Sequence, residues 1–261
     1  MPDLPEDLTS GHPSGRLRPA PTPGEDLATE SPDRDLPISA VFPTGAVIPS
    51  DTVTYGPDIP TDADFKLLGH LEGKRVLELG CGAGHAAVAL ARQGAHVIVV
   101  DPSPRRLERV RAVCEREEVR VELHQSDLAE LAFVRADTID LVLSVYALAS
   151  VPDLDRVFRQ VHRVLRTGSP LVFSLPHPAF RVAEGGSYFE RTPVPWNTGD
   201  ASGAELPRTI SEVFVSLTRA NFRVDNLLEP EPIEGPRSSF WKPTMARVPA
   251  TLLIRARKEG I

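Results

Sequence analysis

Residues Val76–His85 read VLELGCGAGH, an apolar run that ends in three glycines spaced two apart. Gly80, Gly82 and Gly84 give up side-chain contacts and backbone order, so something must approach the main chain closely at this bend. RVLEL (75–79) in front of it reads as a short buried strand. HAAVALARQ (85–93) behind it reads as an alanine-rich helix ending at Gly94. A glycine-rich bend from strand to helix lies at the carboxyl edge of an open α/β sheet, where such folds take their ligands. The N–H groups freed at the helix start attract negative charge.

Outward from the bend the alternation continues. AHVIVVD (95–101) is a second buried strand. SPRRLERVRAVCERE (103–117) is a helix with Ser103 as N-cap and Pro104 at its first position. VRVEL (119–123) and TIDLVLSVYA (138–147) are strands three and four. DLDRVFRQVHRVLR (153–166) carries Leu154, Val157, Phe158, Val161, Val164 and Leu165 at helical spacing, with Gly168 beyond it and His162 on its polar face. PLVFSL (170–175) is strand five. Continuous apolar strands separated by helices predict an α/β, Rossmann-like, doubly wound sheet covered by helices on both faces. TISEVFVSLTRA (209–220) adds a helix, and FRVDNLLEP (222–230) with PATLLIRARK (249–258) a closing pair of strands. The sum is about seven strands, mostly parallel.

The remaining segments lack this rhythm. Residues 1–36 are rich in proline, glycine and acid and are expected to be disordered. They hold eight acids against three arginines, so most of the chain's net charge of −7 lies there. Residues 37–72 form an N-terminal lid, with Phe65, Leu67, Leu68 and Leu71 suggesting a short helix closed at Gly73. The main domain is 73–261, with loop-like substrate-side insertions at 177–208 and 231–246. No basic stripe marks a nucleic-acid partner. Two cysteines, Cys81 and Cys114, cannot build a disulfide framework or a zinc site, and no metal is expected. Without a signal-like or membrane-length apolar run, a cytoplasmic protein is expected, as monomer or homodimer.

Asp101 ends strand two, 21 residues after Gly80, where a carboxylate accepts both hydroxyls of a ribose. Glycines plus that acid point to an adenosine-type cofactor. The dinucleotide fingerprint G-x-G-x-x-G is not met, because the third glycine comes one position early and His85 takes the sixth place. Glu78, two residues before the first glycine, suits a cationic ligand better than a pyrophosphate. The plain alternative is a tight strand–helix turn with no ligand.

At these residues the chain resembles the class I S-adenosylmethionine-dependent methyltransferases, over roughly Leu68 to Lys258. VLELGCGAGH is similar to that family's first motif, E-x-G-x-G-x-G. HQSDLAEL, the 140–174 segment and LPRTISEVFVSLTRANFRVDNLLEPEP follow in the family's order, the later two as in its small-molecule branch. The resemblance implies S-adenosyl-L-methionine as cofactor, with Glu78, Gly80, Cys81, Gly82, Gly84, Asp101, Pro102, Asp127, Leu128, Ser144 and Tyr146 around it. Asp101 would take the ribose hydroxyls, Asp127 the adenine, and Leu128 would supply a backbone amide. Ser144-Val145-Tyr146-Ala147 stands where methylases of base or glutamine amino groups carry Asn/Asp-Pro-Pro-Tyr/Phe, which argues against those substrates. Leu148-Ala149-Ser150 stands where many relatives have a histidine.

Methyl transfer from a sulfonium is a direct displacement that depends on alignment, which can supply roughly 7–11 kcal/mol. A base is needed only where the nucleophile must lose a proton. His177, in SLPHPAF, is the candidate base or substrate contact; a backbone-bonded turn histidine is its structural alternative. His85 is expected beside the cofactor without a catalytic role. Tyr55, Tyr146, Tyr188, Trp196 and Trp241 are candidate substrate contacts or loop anchors, and Arg181, Arg191 and Arg208 candidate anion contacts. The expected function is methylation of a small-molecule acceptor. A nicotinamide-dependent oxidoreductase and a non-catalytic cofactor-binding module are the alternatives.

Overall fold

The computed structural model describes residues 36–43, 48–199 and 201–260. The proline-rich stretch expected to be disordered lies, up to residue 35, outside the described residues. Seven strands form the main sheet: β1 (Arg75–Leu79), β2 (His96–Asp101), β3 (Val121–Gln125), β4 (Leu141–Val145), β5 (Pro170–Pro176), β8 (Phe222–Leu228) and β9 (Thr251–Lys258). Their order is β3-β2-β1-β4-β5-β9-β8, parallel from β3 to β5 and antiparallel around β9. The expected doubly wound, mostly parallel sheet is what the chain forms.

Side chains alternate across the strands, and each face finds its own helices. Val76, Val97 and Val99 pack with α3 (His85–Arg92) and α4 (Pro104–Arg116). Leu77, Leu79, Ile98 and Val100 pack with α5 (Leu154–Val164) and α7 (Ile210–Arg219). Along α5, Leu154, Val157, Phe158, Val161 and Val164 are all buried, each stabilising the fold by about 1.5–3 kcal/mol. Local signals agree with the packing. Ser103 caps α4 through the Arg106 N–H ahead of Pro104, and Thr209 with Glu212 closes a capping box on α7. Because the chain passes to one face after β1 and to the other after β4, a crevice opens between the carboxyl ends of these neighbours.

Several boundaries differ from expectation. β3 starts at Val121 rather than Val119, because the Val119 N–H bonds Cys114 O at the end of α4. β4 is shorter than 138–147: the N–H groups of Thr138 and Ile139 go to Val164 O, and Tyr146 turns left-handed at φ 57°. The helix expected across 65–71 is only α2 (Asp62–Phe65). There Asp62 Oδ1 accepts the N–H groups of Leu67 at 2.8 Å and Leu68 at 3.3 Å, and Lys66 enters the left-handed region, so no further helical turn forms. Leu67, Leu68 and Leu71 are buried without being helical. His162 is half-buried rather than solvated, edge-on to Phe222 at 5.5 Å.

The stretch 177–208 is not a plain loop. It holds α6 (Pro178–Ala183) and an antiparallel hairpin, β6 (Val194–Asn197) with β7 (Ser202–Glu205). Trp196 of the hairpin packs with Ala40 and Val41 of α1 (Ile38–Val41). Leu206, just past β7, donates its N–H to Ala149 O at 2.8 Å, in the 3-10 turn Ala147–Ser150 that follows β4. The hairpin and α1 therefore lie over the carboxyl end of β4. At the far side of the sheet, the β8–β9 register shifts between Val224 and Asn226. Asp225 at the shift accepts from Arg255 and Arg257, each at 2.7 Å.

Candidate active site

The glycine bend connects β1 to α3 at the crevice. Gly80 has φ +80°, and a Cβ there would overlap the Ala147 Cβ in the turn after β4. Gly84 has φ +88°, and its Cβ would meet Val110 Cγ2 of α4 at 3.3 Å. These two glycines thus let the chain itself close up, β4 turn on one side and α4 on the other, as well as baring the backbone.

Asp101, 1% exposed at the end of β2, is tied to this bend. Its Oδ2 accepts the Cys81 N–H at 3.0 Å and the Cys81 thiol at 3.2 Å, while Oδ1 accepts the Ser103 N–H at 2.8 Å. Oδ1 keeps a second lone pair for a further donor, whereas Oδ2 is engaged twice by Cys81. Burial and the Asp101 charge push the Cys81 thiol far above the ordinary range, so it stays protonated.

Glu78 lies on the α3/α4 face of β1 and is 2% exposed. Its Oε2 is buried without a hydrogen-bond partner. Burial, and secondarily Asp101, hold its carboxyl well above the usual range. A cavity of about 30 Å³ adjoins it, lined also by Phe42, Pro43, Thr54, Gly80, Gly82 and His85. Thr54 Oγ1 is a second buried oxygen without a partner. His85 is half-buried on the wall, its imidazole pKa lowered by burial and by Arg116. Phe42, Pro43 and Thr54 carry no motif; only their place in the expected lid pointed to them.

The other expected cofactor residues fall around this centre with varied duties. Ser144 is fully buried and donates to Leu79 O at 2.8 Å, binding β4 to β1. Tyr146 is buried, its hydroxyl 2.6 Å from Thr251 Oγ1 and its ring edge-on to Phe42 at 5.6 Å. Burial raises its phenol. Leu128 is in the core, 4.0 Å from a Cβ placed on Gly80, whereas Asp127 is exposed and accepts the Ala129 N–H at 2.8 Å. Pro102 is exposed at the start of the β2–α4 turn.

His177, 4% exposed, has both ring nitrogens engaged. Nδ1 accepts the Ala179 N–H at 3.0 Å as the N-cap of α6, and Nε2 lies 2.8 Å from Glu229 Oε1. With Nδ1 accepting, the proton sits on Nε2 and points at Glu229, so no lone pair is free for a substrate proton. The structural alternative, not the catalytic one, describes this residue.

The aromatic candidates divide likewise. Tyr55 is fully buried and donates to Asp62 Oδ1 at 2.6 Å, a bond that holds the segment ahead of α2 in place. Trp196 donates to Ser150 Oγ at 3.3 Å and carries the Arg106 guanidinium 5.3 Å from its ring centre. It joins the hairpin to the first turn of α4 and to the β4 turn. Trp241 is half-buried under the Arg237 guanidinium at 3.9 Å, and Tyr188 stacks edgewise on Phe189 at 5.5 Å. Arg191 pairs with Glu212 at 2.9 Å, and Arg208 is spent on the carbonyls of Leu148, Val151 and Leu206. A groove of about 640 Å³ between the start of α5 and α7 is lined by both arginines, but it shares no residue with the glycine bend. Among the described residues no cluster of His, Cys, Asp and Glu could hold a metal, and no helix is long and apolar enough to cross a membrane.

The family described as "Methyltransferase domain" matches residues 76–168. The ubiquinone biosynthesis O-methyltransferase of Hahella chejuensis is 36% identical over 104 residues, 40% of this chain and 44% of that protein. The chain thus spans less than half the length of that curated relative. Two solved structures match over 75% of this chain and 96% of their own. One is a putative S-adenosylmethionine dependent methyltransferase from Listeria monocytogenes (TM-score 0.61, 26% identity). The other is an S-adenosylmethionine dependent methyltransferase from Mesorhizobium loti (TM-score 0.60, 25% identity).

Proposed function

The chain belongs to the class I S-adenosylmethionine-dependent methyltransferases, and from that premise we propose that it methylates a small-molecule acceptor by direct displacement. S-adenosylmethionine, when bound, supplies a methyl group on a positively charged sulfur. The chain's own part is to seat that cation and to align the acceptor, work in which positioning outweighs proton transfer. The carrying observation is Glu78 Oε2, a carboxylate oxygen buried without a partner beside the glycine bend. Burial disfavours the charged form of that carboxyl until a cation reaches it. Gly80, Gly82 and Asp101 supply the bare backbone and the ribose-accepting carboxylate of the same seat. The lid and hairpin, carrying Phe42 and Trp196, exclude water and offer an apolar surface suited to a small acceptor. With His177 committed to α6 and Glu229, the displacement draws no general base from that position.

A nicotinamide dinucleotide fits less well, because its pyrophosphate would face the Glu78 carboxylate. Calorimetric titration tests the reading. S-adenosylmethionine and S-adenosylhomocysteine should each bind at one site with micromolar affinity, and NADH fluorescence should not change on addition of protein. Binding of NADH, or of neither sulfur nucleoside, overturns it.

A further inference from the structure

We propose that Glu205, at the end of β7, is the catalytic base for a hydroxyl-bearing acceptor, with the Arg181 guanidinium near it favouring the negative charge that builds on the acceptor oxygen. The inference rests on the methyl-transfer reading above. It adds the acceptor class and a residue that no motif marks.

Glu205 is tied to the cofactor seat from two directions. Leu206, the next residue, donates its N–H to Ala149 O at 2.8 Å, in the turn whose Ala147 abuts Gly80. From the other direction, the Ser39 hydroxyl of α1 donates to Glu205 Oε2 at 2.5 Å. Phe42, three residues beyond Ser39, lines the cavity beside Glu78. Three residues of helix rise about 5 Å, so one short segment reaches from the Glu205 carboxylate to the glycine bend. Ser39 occupies only Oε2; among the described residues Oε1 takes no hydrogen bond. Glu205 is half-buried and lines a cavity of about 30 Å³ with Leu175, Pro176, Arg208 and Leu252, at the carboxyl end of β5. That space admits a hydroxyl but not a whole molecule, so the hydroxyl is the part that enters.

The groups around the carboxylate differ in what they leave free. Arg208 is spent on backbone carbonyls. The Tyr146 phenol, raised by burial and also by the Glu205 charge, is hydrogen-bonded to Thr251. Arg181 of α6 acts on the Glu205 carboxyl through its charge, and its Nε is buried with no partner. Burial pushes the Glu205 carboxyl up, while the Ser39 bond and the Arg181 charge hold it back. A carboxylate so placed accepts a proton more readily than an exposed glutamate. The cation decides the acceptor class. Near Arg181 a protonated amine is repelled, whereas a hydroxyl oxygen turning negative is stabilised. Glu205 Oε1 takes the hydroxyl proton as that oxygen bonds the methyl carbon, and the carbon–sulfur electron pair stays on sulfur. Atoms and charge balance with no oxidant, and the half-buried carboxyl then returns the proton to water.

Two phenols of similar size test the step, with S-adenosylmethionine labelled on its methyl. Phenol must lose a proton, whereas pentafluorophenol is already ionised at neutral pH. Glu205→Gln should lower kcat/KM for phenol about 100-fold or more and leave that for pentafluorophenol within about threefold. An equal loss for both overturns the proposal, because it marks a structural contact; so does no loss for phenol. An unaltered protein that binds S-adenosylmethionine by calorimetry yet labels neither phenol also overturns it. With phenol, kcat/KM should rise with pH as Glu205 gives up its proton. Ser39→Ala removes a bond to the charged form, so that rise should move to higher pH. If melting shows that Glu205→Gln does not fold, an unmoved rise in Ser39→Ala overturns the proposal. Failure of the unaltered protein to bind S-adenosylmethionine removes the methyl-transfer reading instead, and the base with it.

Discussion

Asp101 Oδ2 accepts both polar hydrogens of Cys81, the backbone N–H at 3.0 Å and the thiol at 3.2 Å. One carboxylate thereby fixes the end of β2 to the middle of the glycine bend, and it is the same carboxylate that we propose for the ribose.

Asp101→Asn is therefore expected to lower stability as well as affinity. An amide accepts through one oxygen, so its NH2 would face either the Cys81 or the Ser103 N–H. The cost is about 2 kcal/mol, or roughly 4–8 °C in Tm, with circular dichroism otherwise intact. S-adenosylhomocysteine binding, followed by calorimetry, should fall by more than tenfold. A variant that melts as the unaltered protein does and binds as well would separate Asp101 from both roles.

Glu78→Gln should do the opposite to stability. Burial and the neighbouring Asp101 raise the Glu78 carboxyl in the folded protein. Below the ordinary glutamate value of about 4.3 both folded and unfolded chains hold the proton, and nothing is lost. Above it the unfolded chain releases its proton first, so folding stability falls as pH rises towards the raised folded value. The glutamine cannot ionise. Its stability relative to the unaltered protein should therefore improve progressively as pH rises above about 4.3, while affinity for S-adenosylmethionine drops. Melting curves across that rise in pH decide the matter; a pH-independent difference counts against a strained carboxylate.

His177 should behave as a cap. His177→Ala removes the acceptor for the Ala179 N–H and should cost about 1 kcal/mol, whereas His177→Asn, which installs a good N-cap, should recover most of it. S-adenosylhomocysteine binding should be unchanged in both. If His177→Asn melted no higher than His177→Ala, the capping role would be lost.

Much of the sheet was readable because its signals are local. The 75–79 and 95–101 runs are apolar throughout apart from Glu78, His96 and the terminal residues, and Ser103-Pro104 announces α4 within two positions. The β6–β7 hairpin was not readable. Its strands contain Pro195 and Gly203 and show no alternation; what holds them is Trp196 against Ala40 and Val41, residues far away along the chain. The missing helix at 65–71 has a similar cause. Leucine spacing favours helix there, but the Asp62 carboxylate captures the very N–H groups a helix would use. At the site, Glu78 and the glycines stood out by motif, whereas Thr54 reaches the cavity beside Glu78 only through the fold.

The register slip at Asp225 carries a consequence for behaviour at high concentration. β8 borders the sheet, and a straight, regular border would be a template on which another molecule could zip up by main-chain pairing. An acid left out of the ladder, gripped by Arg255 and Arg257, breaks that template midway. The irregularity works as a guard against fibre-like stacking.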